Sequence, residues 1–134
     1  MYATALGEIK NGKKRSHWMW YIFPQLRGLG TSPMAHVYGI AGLEEARMYL
    51  MDPILSARLF EISEALLAQK KKTPKDFFGD IDAMKLHSSM TLFALASNGG
   101  SIFHKVLEQF YNGEPDERTL ELIKAKPSDG EPIG

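Results

Sequence analysis

The sequence predicts an all-α fold: a single-domain bundle of about seven short helices around a central helix near residues 81–97. Three observations predict it. Leucine, methionine and alanine total 34 residues against 16 for valine, isoleucine and threonine, too few β-branched side chains for a substantial sheet. Ser32-Pro33, Asp52-Pro53 and Thr73-Pro74 repeat one device, a side-chain oxygen at the N-cap followed by proline at the first helical position. The oxygen accepts from a free backbone N–H, and proline's missing N–H costs nothing there. Between these marks the apolar residues recur with helical, not alternating, spacing.

Taken in chain order, Tyr2, Leu6 and Ile9 mark a short first helix closed by Gly12. Ser16 is positioned to cap a second, which Pro24 terminates. Ser32-Pro33 opens a third. Leu43, Ala46 and Leu50 form the next stripe, ended at Asp52. Ile54, Leu55, Leu59, Ile62 and Leu66 give the longest clean stripe, with three lysines at its C-terminal end, where the helix dipole favours cations. A short helix runs from Pro74 to Gly79, with Asp76 placed to complete a capping box with Thr73. Asp80 then caps a long helix to about Ser97, apolar on more than one side through Ile81, Met84, Leu86, Met90, Leu92, Phe93 and Leu95. Such breadth predicts a central, mostly buried element. Ser101 and Asp116 cap the last two helices. Residues 1–125 are thus expected to form one helical domain, and residues 126–134, with two prolines and two glycines, a disordered tail.

Composition excludes several function classes. There is no cysteine, hence no disulfide framework, thiol nucleophile or zinc–cysteine cluster. Sixteen basic residues balance sixteen acidic ones, so nothing draws the whole chain to nucleic acid or an anionic membrane. No stretch approaches the ~20 apolar residues of a membrane span, and the start lacks an export signal, so a cytoplasmic location is expected. The four histidines have no metal-ligand spacing; neither a metal nor a cofactor is expected, and a monomer is the default. Charge is nonetheless uneven: basic residues predominate in the first 30 and acidic ones after residue 107, which predicts that the two ends pack near each other or are solvated, or else that Lys13–Arg15 form a basic anion-binding rim.

One segment does not look like scaffold. Four of the chain's aromatics fall between Trp18 and Phe23, inside Ser16-His17-Trp18-Met19-Trp20-Tyr21-Ile22-Phe23-Pro24-Gln25. If buried, His17, the two indoles and Gln25 each need a hydrogen-bond partner. On the central helix Asp82, Lys85 and Ser89 share one face, either as a solvated ion pair or as the wall of a pocket that the tryptophans close. His17 is read as a functional imidazole or a structural hydrogen-bonder, and His36, His87 and His104 as surface or packing residues. Gly28-Leu29-Gly30-Thr31-Ser32 before a helix offers a weak anion cradle, lacking the lysine and strand of a P-loop.

Lys14-Arg15-Ser16-His17-Trp18-Met19-Trp20-Tyr21-Ile22-Phe23-Pro24-Gln25, together with Tyr38-Gly39-Ile40, Phe78-Gly79, Asp82, Lys85-Leu86, Ser88-Ser89-Met90-Thr91-Leu92-Phe93 and Gly113-Glu114-Pro115-Asp116, resembles the bacterial family known as domain of unknown function 1810, whose members are sometimes mislabelled calpastatin. The resemblance spans residues 2–123 and implies a mainly α-helical fold, with a first helix that in most members begins further upstream. It implies no activity.

From the residues themselves, the leading expectation is a small-ligand pocket between residues 16–25 and the 82–91 stretch. Tryptophan faces would stack on a planar, nucleotide-like group (an ADP-ribose-like compound included), and lysine would hold its anionic part. Asp82, His17 and Lys85 are the catalytic candidates; Lys14, Ser16, Trp18, Trp20, Gln25, Ser88 and Ser89 are the ligand-binding ones. The most economical reaction is hydrolysis of a glycosidic bond, which needs neither metal nor thiol. The alternative is a protein-interaction module anchored by exposed Trp18 or Trp20, without catalysis. A third reading, nucleic-acid binding through Lys10–Arg15 and the adjacent aromatics, is disfavoured by the zero net charge.

Overall fold

A computed structural model describes residues 1–97 and 99–125; the expected tail, 126–134, lies outside the described residues. The described residues form eight helices: α1 (Tyr2–Lys10), α2 (Met19–Ile22), α3 (Pro33–Tyr38), α4 (Leu43–Met51), α5 (Pro53–Leu67), α6 (Pro74–Ala96), α7 (Ile102–Tyr111) and α8 (Glu117–Ala125). Among the described residues the nearest approach to a sheet is a lone parallel bridge between Leu26 and Ile40. No helix there is long and apolar enough to cross a membrane.

The helix starts follow the local chemistry. Ser32 Oγ accepts from Ala35 N at 3.2 Å, and Asp52 Oδ1 from Ile54 N and Leu55 N, both at 2.9 Å. Thr73 and Asp76 complete a reciprocal capping box, and Ser101 and Asp116 cap α7 and α8. α6 contains a break where the sequence places one. Gly79 sits at φ 75°, ψ 176°, a conformation only glycine adopts at low cost, and it kinks the short Pro74 segment away from the long one.

α6 is the centre of the bundle, packing against α4, α7 and α8, while α5 packs against α1, α4 and α7. Leu86, Met90, Leu92, Phe93 and Ala94 are buried among Phe77, Phe103 and Val106. The central helix is less enclosed than its composition predicts: Ile81, Met84 and Leu95 are exposed. The first two lie just after the kink, where the helix lines an open cavity instead of meeting another helix.

Trp18 and Phe23 pass under Phe78, with ring centroids 6.3 and 6.1 Å from it. Arg27 N then donates to Ile40 O at 2.7 Å and Ile40 N to Gln25 O at 2.8 Å, closing residues 25–40 into a loop that carries α3. That loop faces the first turns of α6 after the kink and the start of α8.

Candidate functional site

Residues 11–18 are held in place by a residue that sequence reasoning passed over. The Glu8 carboxylate accepts from Arg15 N at 2.7 Å, Ser16 N at 3.0 Å, Ser16 Oγ at 2.6 Å and the Trp18 indole at 2.9 Å. Burial works to raise its pKa, but the four donors together outweigh that and hold it at about 2. Ser16 is therefore not the cap of α2. Its hydroxyl is committed to Glu8, and Trp18 occupies the N-cap position with no side-chain cap bond.

The turn delivers Lys14 to the central helix. Lys14 N donates to Phe77 O at 2.7 Å, and Lys14 Nζ meets Asp82 Oδ2 at 2.9 Å while lying 5.2 Å from the Trp18 ring. Lys85, one turn on from Asp82, takes its other oxygen at 3.3 Å. One carboxylate thus holds two ammonium groups. The Lys14 side chain is only 10% exposed.

Two adjoining hollows flank this cluster. The smaller, 180 Å³, is lined by Lys14, His17, Trp18, Met19 and Met34 with Asp82. The larger, 320 Å³, is lined by Gln25, residues 29–31, Ile81, Met84 and Ser88, with Asp116 and Arg118 from the start of α8. Trp20, Ser32 and Lys85 line both. The aromatic segment and the charged stripe therefore face each other across open space.

Of the expected residues, Lys14, His17, Trp18, Asp82 and Lys85 meet at the smaller hollow, and Trp20, Gln25, Lys85 and Ser88 at the larger. Two expected members do not belong. Ser16 is bound to Glu8, and Ser89, fully buried, lines neither hollow. Ser89 follows Ser88 by one residue, so a helix turns it about 100° away, into the core. His17 is exposed at the rim, where its carbonyl accepts the Tyr21 hydroxyl. His87 stacks on Tyr111 at 4.0 Å and His104 bonds Ser101, the packing roles expected of them. The glycine-rich loop contributes close approach: a Cβ on Gly30 would stand 3.1 Å from the Trp20 ring. Ser32, its last residue, spends its hydroxyl on the α3 cap.

Trp18 is fully buried and Trp20 is 6% exposed, so neither indole stands out from the surface as an anchor for another protein. The expected meeting of basic and acidic chain ends takes a different form. Lys14 pairs with the central helix, while Arg118 of α8 donates to Leu29 O at 3.3 Å.

The sequence does not point to Arg118 as a site residue and marks Asp116 only as a helix cap; both stand at the larger hollow, brought there from far along the chain. Asp116 Oδ2 accepts from Ser88 Oγ at 3.1 Å, Thr119 N at 3.0 Å and Thr119 Oγ1 at 2.7 Å, which ties α8 to α6. Gln25 is among the residues lining that hollow, and its Nε2 is buried without a hydrogen-bond partner.

A compact helical domain with an aromatic-walled, cationic double hollow is the class these features define. A family model described as a protein of unknown function (DUF1810) matches residues 1–123, and the chain belongs to that family. Among solved structures it is similar to the conserved hypothetical protein Rv1873 of Mycobacterium tuberculosis, at 43% identity over 93% of this chain and 89% of that one, with a TM-score of 0.89. No curated protein matches.

Proposed function

We propose that the larger hollow binds a small molecule combining a planar ring with an anionic group, a nucleotide-like ligand. The observation that carries this is the convergence of Trp20, Gln25, Lys85 and Arg118 on one hollow of 320 Å³. The surroundings suit such a ligand. Trp20 gives an aromatic wall, and Lys85 and Arg118 bring two positive charges against the one carboxylate of Asp116, which already takes the Ser88 hydroxyl. At 320 Å³ the space lies at the small end of the ~300–1,000 Å³ usual for ligand pockets.

Binding is supported better than turnover. Glycosidic hydrolysis relies on two carboxylates flanking one bond. Here Asp82 and Asp116 line different hollows, and both Asp82 oxygens are met by ammonium groups. No catalytic step is assigned to Asp82, His17 or Lys85. The tryptophan-anchored protein module lacks an exposed tryptophan, so ligand binding is the single reading carried forward.

Thermal denaturation and tryptophan fluorescence with AMP, GMP, CMP and UMP at millimolar concentration test the proposal. A ligand at 100 times its Kd stabilises by about 2.7 kcal/mol, a shift of several degrees for a domain of this size. At least one of the four should raise Tm and change Trp20 emission. No response from any of them in either measurement overturns the reading.

A further inference from the structure

We infer that the smaller hollow is an anion subsite for a second phosphoryl group, so that the preferred ligand is a nucleoside diphosphate and not a monophosphate. This rests on the ring-binding reading of the larger hollow and extends it. The first support is charge. Lys14 and Lys85 converge on Asp82, leaving one unmatched positive charge at a place where the side chains of Lys14, Asp82 and Lys85 are 10%, 19% and 31% exposed. A charge withdrawn from water is unfavourable unless paired, and an entering anion supplies the pair.

The second support is donor capacity. Each ammonium carries three N–H donors, and the ion pair with Asp82 uses one from each, at 2.9 and 3.3 Å. The rest remain for phosphate oxygens, which lysine binds as a point charge. The third is continuity. Trp20, Ser32 and Lys85 line both hollows, so a ligand whose ring lies in the larger reaches the smaller past these three residues. Lys14, by contrast, lines only the smaller one, which separates the two subsites by mutation.

Calorimetric titration of the full chain with AMP, ADP and inorganic pyrophosphate tests this. A charge-assisted contact of the kind proposed makes ADP bind roughly 10- to 100-fold tighter than AMP. Lys14→Met removes most of that advantage, weakens pyrophosphate by a similar factor and weakens AMP much less than ADP. Asp82→Asn supplies the opposite sign: it frees both ammonium groups and tightens pyrophosphate binding, whereas structural damage weakens it. Circular dichroism and Tm verify that each variant is folded. Equal affinities for AMP and ADP with no pyrophosphate binding overturn the subsite and leave the ring pocket standing. Pyrophosphate binding with AMP silent does the reverse, and Asp82→Asn weakening pyrophosphate counts against the subsite.

Discussion

The Trp18 indole donates to the Glu8 carboxylate at 2.9 Å, from ten residues further along the chain, and that one bond fixes where the buried aromatic segment begins. Three more donors from Arg15 and Ser16 converge on the same carboxylate, so the last turn of α1 positions the turn that carries Lys14 to Asp82. Without Glu8 the indole N–H and two backbone N–H groups lose their acceptor together.

Glu8→Gln presents an amide N–H to part of this donor cluster. It should destabilise the protein at pH 7 by about 1–2 kcal/mol, the lower part of the range for bonds to a charged group because water screens a half-buried carboxylate. The pH dependence has a definite sign. The folded pKa, about 2, is below the ordinary 4.5, so the contribution is present above pH 4.5 and is lost as pH falls through 2. Urea unfolding at pH 7, 4, 3 and 2 should show the gap between wild type and variant narrowing below pH 4.5. A gap that stays constant to pH 2 contradicts the assignment.

Gln25 and Ser89 both carry buried polar atoms without partners, but in different settings. Gln25 lines the larger hollow and Ser89 is enclosed in the core. Gln25→Leu removes an unmet donor and should stabilise the free protein by about 1 kcal/mol while abolishing its response to nucleotides. Ser89→Ala should be neutral or slightly stabilising and leave that response intact. Urea midpoints with and without AMP separate the two. Loss of stability in Gln25→Leu would mean that the amide is already satisfied in the free protein.

Two glycines should fail for different reasons. A Cβ on Gly39 would stand 2.5 Å from Ala35 O and 2.9 Å from Arg27 Cα, backbone atoms that cannot step aside. Gly39→Ala is expected to cost about 3 kcal/mol and to disturb the pairing of residues 25–27 with Ile40, weakening nucleotide binding too. Gly79 has open space around it but a φ of 75°. Gly79→Ala should cost about 1–3 kcal/mol through the backbone alone. Its nucleotide affinity should then stay near wild type when measured well below its Tm.

How far the sequence is legible follows from how far each interaction reaches along the chain. Ser32, Asp52 and Thr73 bond N–H groups two or three residues away, so their spacing alone announces the helix starts. Gly79 breaks α6 through its own backbone, and that too is local. Ser16 misleads because Glu8, eight residues earlier, takes the hydroxyl that would otherwise cap α2. Periodicity places Asp82 and Lys85 on one face but does not choose between Ser88 and Ser89 as the next member. The packing of α4 and α8 on α6 makes that choice. Arg118 is invisible from local pattern, since its place at the hollow depends on α8 folding back to residues 28–30.

Alkaline pH gives the last test, because several tyrosines carry their hydroxyls where a charge is unwelcome. Burial foremost, with the nearby Asp52 charge, raises Tyr49 to about 12, and burial with Asp116 lifts Tyr111 further. Tyr2 is raised by burial and by its bond to Glu61. A folded pKa above the ordinary 10 means that the stabilising contribution is complete below pH 10 and disappears as pH rises through the folded value. Stability should therefore fall steeply from pH 10 to 12, and the tyrosinate absorbance of these residues should appear together with loss of helical circular dichroism. Tyr111 also donates to Ala83 O at 2.7 Å and stacks on His87, which joins α7 to the central helix. Tyr111→Phe keeps the stack and loses the bond, so it should cost about 1 kcal/mol at pH 8. Above pH 10 the phenol ionises in the unfolded wild type but is held protonated in the fold. That lowers the stability of the wild type and not of the variant, so the two should converge as pH climbs beyond 10. Urea midpoints at pH 8, 10 and 11.5 measure this directly, and a difference that widens over that range would place the Tyr111 hydroxyl outside the helix interface.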